Sequence, residues 1–221
     1  MEFFLPLFPL NTVFFPGTML EVQIFEERYK KLFSYVLNNN SQIGIFCIKE
    51  GIEAYGPLPI PYSVGTLSKV YDYEVIPYSL GNSQTDNIIK VQLIGIKKIQ
   101  LLYEYESHEH FWIGNVIPCE ENYTTKDIKE EERDTFYSEL FKYLQYHNYP
   151  NINEIQKDNL VLLCHFALKN LSIPLEEKQR LLEVSSFLER WTKTLVYLKQ
   201  KNDIIEQIKK KYPDGSINEL N

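Results

Sequence analysis

The sequence predicts an α+β protein: an N-terminal β-barrel-like half that carries one helix, followed by a C-terminal helical bundle. Two observations carry this reading. Up to about residue 121, short β-branched and aromatic runs are punctuated by Gly, Pro and Asn, as many short strands would be. Beyond residue 122 the apolar residues recur every three or four positions, the period of helices that bury one face. A chain of 221 residues also buries enough surface, roughly 70% of what it exposes unfolded, to hold a proper core. The expected division is a barrel subdomain at 1–122, a helical subdomain at 123–211 and a mobile tail at 212–221.

Residues 3–8 and 19–25 read as strands around the turn Phe15-Pro16-Gly17-Thr18, in which Pro pre-sets φ and Gly accepts the positive φ of a type II turn. Glu26 and Glu27 suit the positive end of a helix running to about Leu37, with Tyr29, Leu32, Phe33 and Val36 as its apolar stripe. Arg28 is expected to pin that helix start rather than touch a ligand. Further strands are expected at 43–48, 64–76, 88–102 and 111–118, with a hairpin loop at 81–87. Three prolines at 57, 59 and 61 make the approach to the second of these irregular or an edge.

In the second half, Phe136, Leu140, Tyr143 and Leu144 mark one helix, and Ile155, Leu162, Leu163 and Phe166 mark another. Pro174 fits a first helical turn, and Leu181, Val184, Leu188, Trp191, Leu195 and Leu198 continue as one stripe. That stripe predicts a single helix running to about Lys211, where Tyr212-Pro213-Asp214-Gly215 stops it.

Charge and composition narrow the function classes. A net charge of −7 disfavours a nucleic-acid partner, and the basic clusters Lys97-Lys98 and Lys209-Lys210-Lys211 read as solvated strand and helix ends. Three unpaired cysteines point to a reducing, cytoplasmic compartment. Pro6 and Pro9 interrupt the first apolar run, which argues against a secretory signal, and the richest apolar segment, residues 159–168, is too short to span a membrane.

Reactive constellations are not found. The sequence has no G-x-x-x-x-G-K-[ST], G-x-G-x-x-G or G-x-S-x-G. His108-x-His110 has no third ligand at metal-binding spacing. Cys164 and His165 are adjacent in an apolar helix and so project about 100° apart, which does not make a thiol and base pair. Glu120-Glu121 and Glu176-Glu177 read as loop and helix-start carboxylates. No catalytic residue, metal or cofactor is expected.

The opening stretch LPLFPLNTVFFPGTMLEVQIFEERYKKLF resembles the start of the Lon N-terminal domain, the substrate-recognition part of ATP-dependent Lon proteases, in its P-L-F-P-L, V-x-x-P-G and F-E-x-R-Y. The likeness continues through VGTLSKV at 64–70, VQLIGIKKIQL at 91–101, FWIGNVIPCEE at 111–121 and LSIPLEEKQRLLEVSSFLERWTKTLVYL at 171–198, in family order. The resemblance implies a PUA-like barrel followed by a helical bundle. In Lon proteases an AAA+ ATPase and a Ser-Lys protease domain follow. Here the sequence stops shortly after the last helix, so neither activity is expected, and the chain resembles the stand-alone bacterial Lon-domain proteins.

The function implied is non-catalytic binding of unfolded or hydrophobic polypeptide, with a protease or chaperone as a partner in trans. Phe14, Phe15, Phe25, Tyr71 and Tyr73 flank turns or strand ends and are the candidate peptide-binding residues; the alternative for each is a place in the core. Two other readings remain: RNA binding, suggested by the PUA-like barrel, and a small-molecule pocket of the kind found in cereblon-type proteins.

Overall fold

The first strand changes partners part-way along its length. In the computed structural model, which describes residues 1–79, 85–150 and 157–212, β1 (Phe3–Leu10) pairs antiparallel with β6 (Trp112–Pro118) over Phe3 to Leu7. From Leu7 to Leu10 it pairs in parallel with β3 (Gln42–Glu50). Pro6 is in register only with β6 and Pro9 only with β3, so neither missing N–H falls where the strand has two neighbours. β3 continues to β4 (Ile60–Ser79), β4 to β5 (Thr85–Glu106), and β5 pairs with both β2 (Met19–Ile24) and β6. Among the described residues there are six strands in the order β2-β5-β4-β3-β1-β6, and the β5–β6 pairing brings the succession of neighbours back to β5.

β4 and β5 are longer than the expected 64–76 and 88–102. The proline-rich approach is irregular only to Pro59, and Pro61 enters β4 opposite Ile48, where the β3–β4 register shifts and the lost N–H is tolerated. The expected hairpin loop at 81–87, the residue Ile155, the helix stop beyond Tyr212 and the tail lie wholly or partly outside the described residues.

The two faces of the sheet carry separate apolar clusters. Leu5, Leu7, Phe46, Leu67, Ile99, Leu101 and Val116 pack on one. On the other, Phe8, Ile43, Ile45, Val91, Leu93 and Ile113 receive Tyr29, Leu32, Phe33 and Val36 of α1 (Glu27–Asn38), the stripe read from sequence. β5 serves both faces with odd-numbered residues because its register with β4 slips by one at Ile96. That extra residue turns Val91 and Leu93 to one face and Ile99 and Leu101 to the other. Beside this slip the expected turn is present: Gly17 has φ +78°, and the Thr18 N–H donates to the Phe15 carbonyl at 3.2 Å. The turn docks on Gly95, whose N–H donates to the Thr18 carbonyl at 3.0 Å; a Cβ there would lie 2.8 Å from the Phe15 oxygen.

The chain forms two compact units. One comprises Met1–Glu120 and Pro174–Ser185, the other the described residues of Glu121–Ile173 and Ser186–Asn221. The helix expected to run unbroken from Pro174 to Lys211 is therefore two: α4 (Leu175–Glu183) in the first unit and α5 (Phe187–Lys211) in the second. Val184 ends α4 in an extended conformation (ψ 126°), and the Ser186 hydroxyl caps α5 by accepting the Glu189 N–H. Leu188, placed on the stripe from sequence, is consequently exposed, and the buried face of α5 is Phe187, Arg190, Trp191, Thr194, Leu198, Asn202 and Ile205. Lys98 is a second correction. It is buried, not solvated, and its Nζ donates to the Val184 carbonyl at 2.9 Å, while Gln179 Nε2 donates to Val64 O at 3.0 Å; both bonds hold α4 to the sheet.

In the second unit α5 packs against α2 (Glu130–Tyr146) and α3 (Leu160–Asn170). Phe136 stacks on Trp191, ring centroids 3.9 Å apart, and Asn202 donates to the backbone and side-chain oxygens of Glu139. Among these apolar groups lies a charged set: Arg190, fully buried, pairs with the buried Glu121 carboxylate, and its Nη1 lies 3.0 Å from Nε2 of buried His165.

Candidate functional site

Cys47, Cys164, His110, His147 and His165 are each buried or engaged by neighbouring groups. Cys47 and Cys164 are buried, which pushes both thiols up to about 12 and keeps them protonated at neutral pH. Cys164 Sγ faces the Thr194 hydroxyl at 3.5 Å and the neighbouring His165 ring turns to Arg190, so the adjacent thiol and imidazole do not meet. His110 pairs with Glu106 at 2.7 Å on the exposed β5–β6 connection, and His147 caps α2 against the Tyr143 and Tyr146 rings. Among the described residues no three His, Cys, Asp or Glu side chains converge as metal ligands would, and no helix is long and apolar enough to cross a membrane. Glu121, read as a loop carboxylate, is the buried partner of Arg190.

Of the five aromatic candidates the structure separates two from three. Phe14 and Phe15 are core residues, at 4% and 0% exposure, because the Phe15–Thr18 turn folds back onto the sheet at Gly95 and carries both rings inward. They cannot meet a partner. Phe25 is half-buried at the entry to α1 and lies 5.5 Å from the Tyr55 ring, which is exposed and sits at a positive φ of 58°. Arg28 fixes this corner: Nη1 donates to Gly56 O at 2.8 Å, and the guanidinium lies 2.9 Å from Glu26, whose other contact is the Tyr55 N–H. Tyr71 and Tyr73 stand exposed on β4, Tyr73 with its ring edge-on to Phe33 of the core and Val75 exposed beyond it. A slip in the β4–β5 register between Val70 and Asp72 passes over Tyr71 and sets Tyr73 opposite Val91.

A further aromatic group was not foreseen. Phe4 of β1 and Tyr103 of β5 are both in register with Asn115 of β6, which puts the three side chains on one rung of the sheet. Phe4, Tyr103 and Tyr105 are each about half exposed, with Phe4 6.2 Å from Tyr103 and 6.3 Å from Tyr105 in edge-on geometry. Their exposure comes from a second slip in β5, between Leu101 and Tyr103. Without it, Tyr103 and Tyr105 would continue the inward face of Ile99 and Leu101. The signal available in sequence was Tyr103-Glu104-Tyr105-Glu106, an alternation of rings and carboxylates too polar for a strand buried on both sides.

Comparison with known proteins places this arrangement. The family model described as the ATP-dependent protease La (LON) substrate-binding domain matches residues 4–200. The Lon protease of Dictyoglomus thermophilum is 24% identical over 208 residues, 91% of this chain and 25% of that protein, so the chain spans about a quarter of the length of this curated relative. Among solved structures, the Lon N-terminal domain protein from Xanthomonas campestris aligns with a TM-score of 0.62 at 21% identity, covering 88% of this chain and 98% of that one. The N-terminal domain of the Mycobacterium avium complex Lon protease aligns with a TM-score of 0.65 at 16% identity, covering 89% and 98%. Identities this low establish a common fold.

Proposed function

The chain belongs to the family of ATP-dependent protease La (LON) substrate-binding domains, and on that premise we propose that it binds unfolded or apolar segments of other polypeptides without acting on them chemically. The observation that carries the proposal is the set of exposed aromatic rings fixed on the sheet unit: Tyr71 and Tyr73, the Phe25–Tyr55 corner, and Phe4 with Tyr103 and Tyr105. Aromatic rings, most of them here carried on strands, offer large apolar area at little cost in side-chain entropy, which suits a partner that must itself be ordered on binding. The proposal takes the circuit of strand pairings as the PUA-like barrel and the helices of the second unit as the helical bundle. A protease or chaperone acting in trans would receive the bound segment. Burial of Lys98 removes one cation from the strand cluster a phosphate backbone would need, which favours polypeptide over RNA.

The test compares a reduced and alkylated, permanently unfolded protein with the same protein in its native form, by fluorescence anisotropy. Binding of the unfolded form at least about tenfold more tightly is expected, a difference of about 1.4 kcal/mol. Equal affinity for both forms, or none for either, overturns the proposal.

A further inference from the structure

We propose that the Phe4–Tyr103–Tyr105 face is selective for positive charge and takes a lysine or arginine side chain of the bound polypeptide. The inference rests on the polypeptide-binding reading above and names the chemistry of its substrate. Two features of this face converge on it. The rings meet edge-on, at 72° and 66° between planes, so that they do not cover one another's faces, and an aromatic face attracts a cation. Asn115, at 4% exposure beneath them, donates through Nδ2 to the Glu2 carboxylate at 2.9 Å and holds that negative charge at the edge of the cluster. Ring faces and a carboxylate both favour a cation, and neither favours an anion.

The chain's own cations do not occupy the place. Among the described residues, lysines and arginines lie over the rings of Phe3, Tyr29, Tyr137, Tyr146 and Tyr212, and over none of these three. The long aliphatic stem of a partner's Lys or Arg would lie along Phe4 while its head reaches Glu2, the divided habit of these side chains. A net charge of −7 adds a general attraction for basic segments. The preference is therefore expected for unfolded segments in which basic and apolar residues are mixed.

The experiment uses the full chain and three short, labelled, unstructured peptides of identical apolar content carrying Lys, Gln or Glu at the remaining positions. The Lys peptide is expected to bind about tenfold more tightly than the Glu peptide, with the Gln peptide between them. Tyr103→Ala with Tyr105→Ala removes the preference for Lys over Gln, Glu2→Gln reduces it and weakens its salt dependence, and Tyr103→Phe with Tyr105→Phe preserves it. The Phe pair keeps the rings, so it separates lost recognition from lost folding. Equal binding of the three peptides, or a preference that survives loss of both rings, overturns the inference. Should the unfolded, alkylated protein still bind in that case, polypeptide binding stands and only its charge selectivity falls; if no probe binds, both fall together.

Discussion

The two units bury different things. The sheet unit closes over two apolar clusters, and its few buried polar groups, such as Lys98 and Gln179, reach backbone carbonyls. The helical unit closes over a buried ion pair: Arg190 is fully buried with Glu121 and His165 as partners. An apolar core tolerates loss of one side chain by the size of the hole left behind. A buried ion pair tolerates much less, because the surviving partner keeps its desolvation cost without compensation. The sheet unit can therefore carry exposed rings on its surface without compromising what holds it together, whereas the helical unit depends on one triad being complete.

Arg190→Ala should break the contrast most sharply, costing about 3–5 kcal/mol by leaving the buried Glu121 carboxylate without its guanidinium counter-charge. Replacing Arg190 and Glu121 together with Met and Leu should recover most of that loss, as urea denaturation would show. The matching cut in the sheet unit is Leu7→Ala, the residue of β1 paired on both sides and fully buried. A loss of about 2–5 kcal/mol is expected there, with no companion change able to restore it short of refilling the cavity.

These two sites differ equally in how legible they were. Leu7 lies in a continuous apolar run, and the α1 stripe has a helical period, so much of the core of the sheet unit could be read from the sequence. The Arg190 triad could not. Glu121, His165 and Arg190 come from three distant segments with no shared pattern, and a lone Arg on a helix reads as solvent-facing until the fold encloses it. The aromatic surface was half legible for a related reason. Tyr71 and Tyr73 are exposed, but they stand within β4 and not beside a turn or strand end, and Tyr103 and Tyr105 face outward only because one inserted residue at Leu102 reverses the strand's parity. Phe14 and Phe15 were misplaced because a turn docked on Gly95 buries what a turn usually exposes.

Smaller effects sharpen the boundary between the units. Burial raises the Cys47 and Cys164 thiols from about 9 to about 12, so the native state holds protons that the unfolded chain releases. The stability this contributes is complete below pH 9 and is lost as pH climbs toward 12. Cys47 is in the first unit and Cys164 in the second, and both should resist iodoacetamide at pH 8 until the protein unfolds, while the partly exposed Cys119 reacts first in peptide mass mapping. Ser186→Ala removes the cap at the α4–α5 break and should cost about 1 kcal/mol, read as a shift in urea midpoint. Leu188→Glu, on the exposed side of α5, should change stability by less than about 0.5 kcal/mol. A large loss there would restore the continuous helix that the sequence pattern suggested.

The exchange of partners along β1 has a consequence for how the molecule comes into being. Phe3 and Leu7 find their antiparallel neighbours only at Val116 and Trp112, so the ribosome must deliver more than half of the chain before the opening strand can finish its ladder. Until then the greasy stretch from Leu5 to Leu10 waits beside β3 with one edge bare. Such long-range closure is slow, and a nascent chain in that interval is itself the kind of client that folding helpers attend.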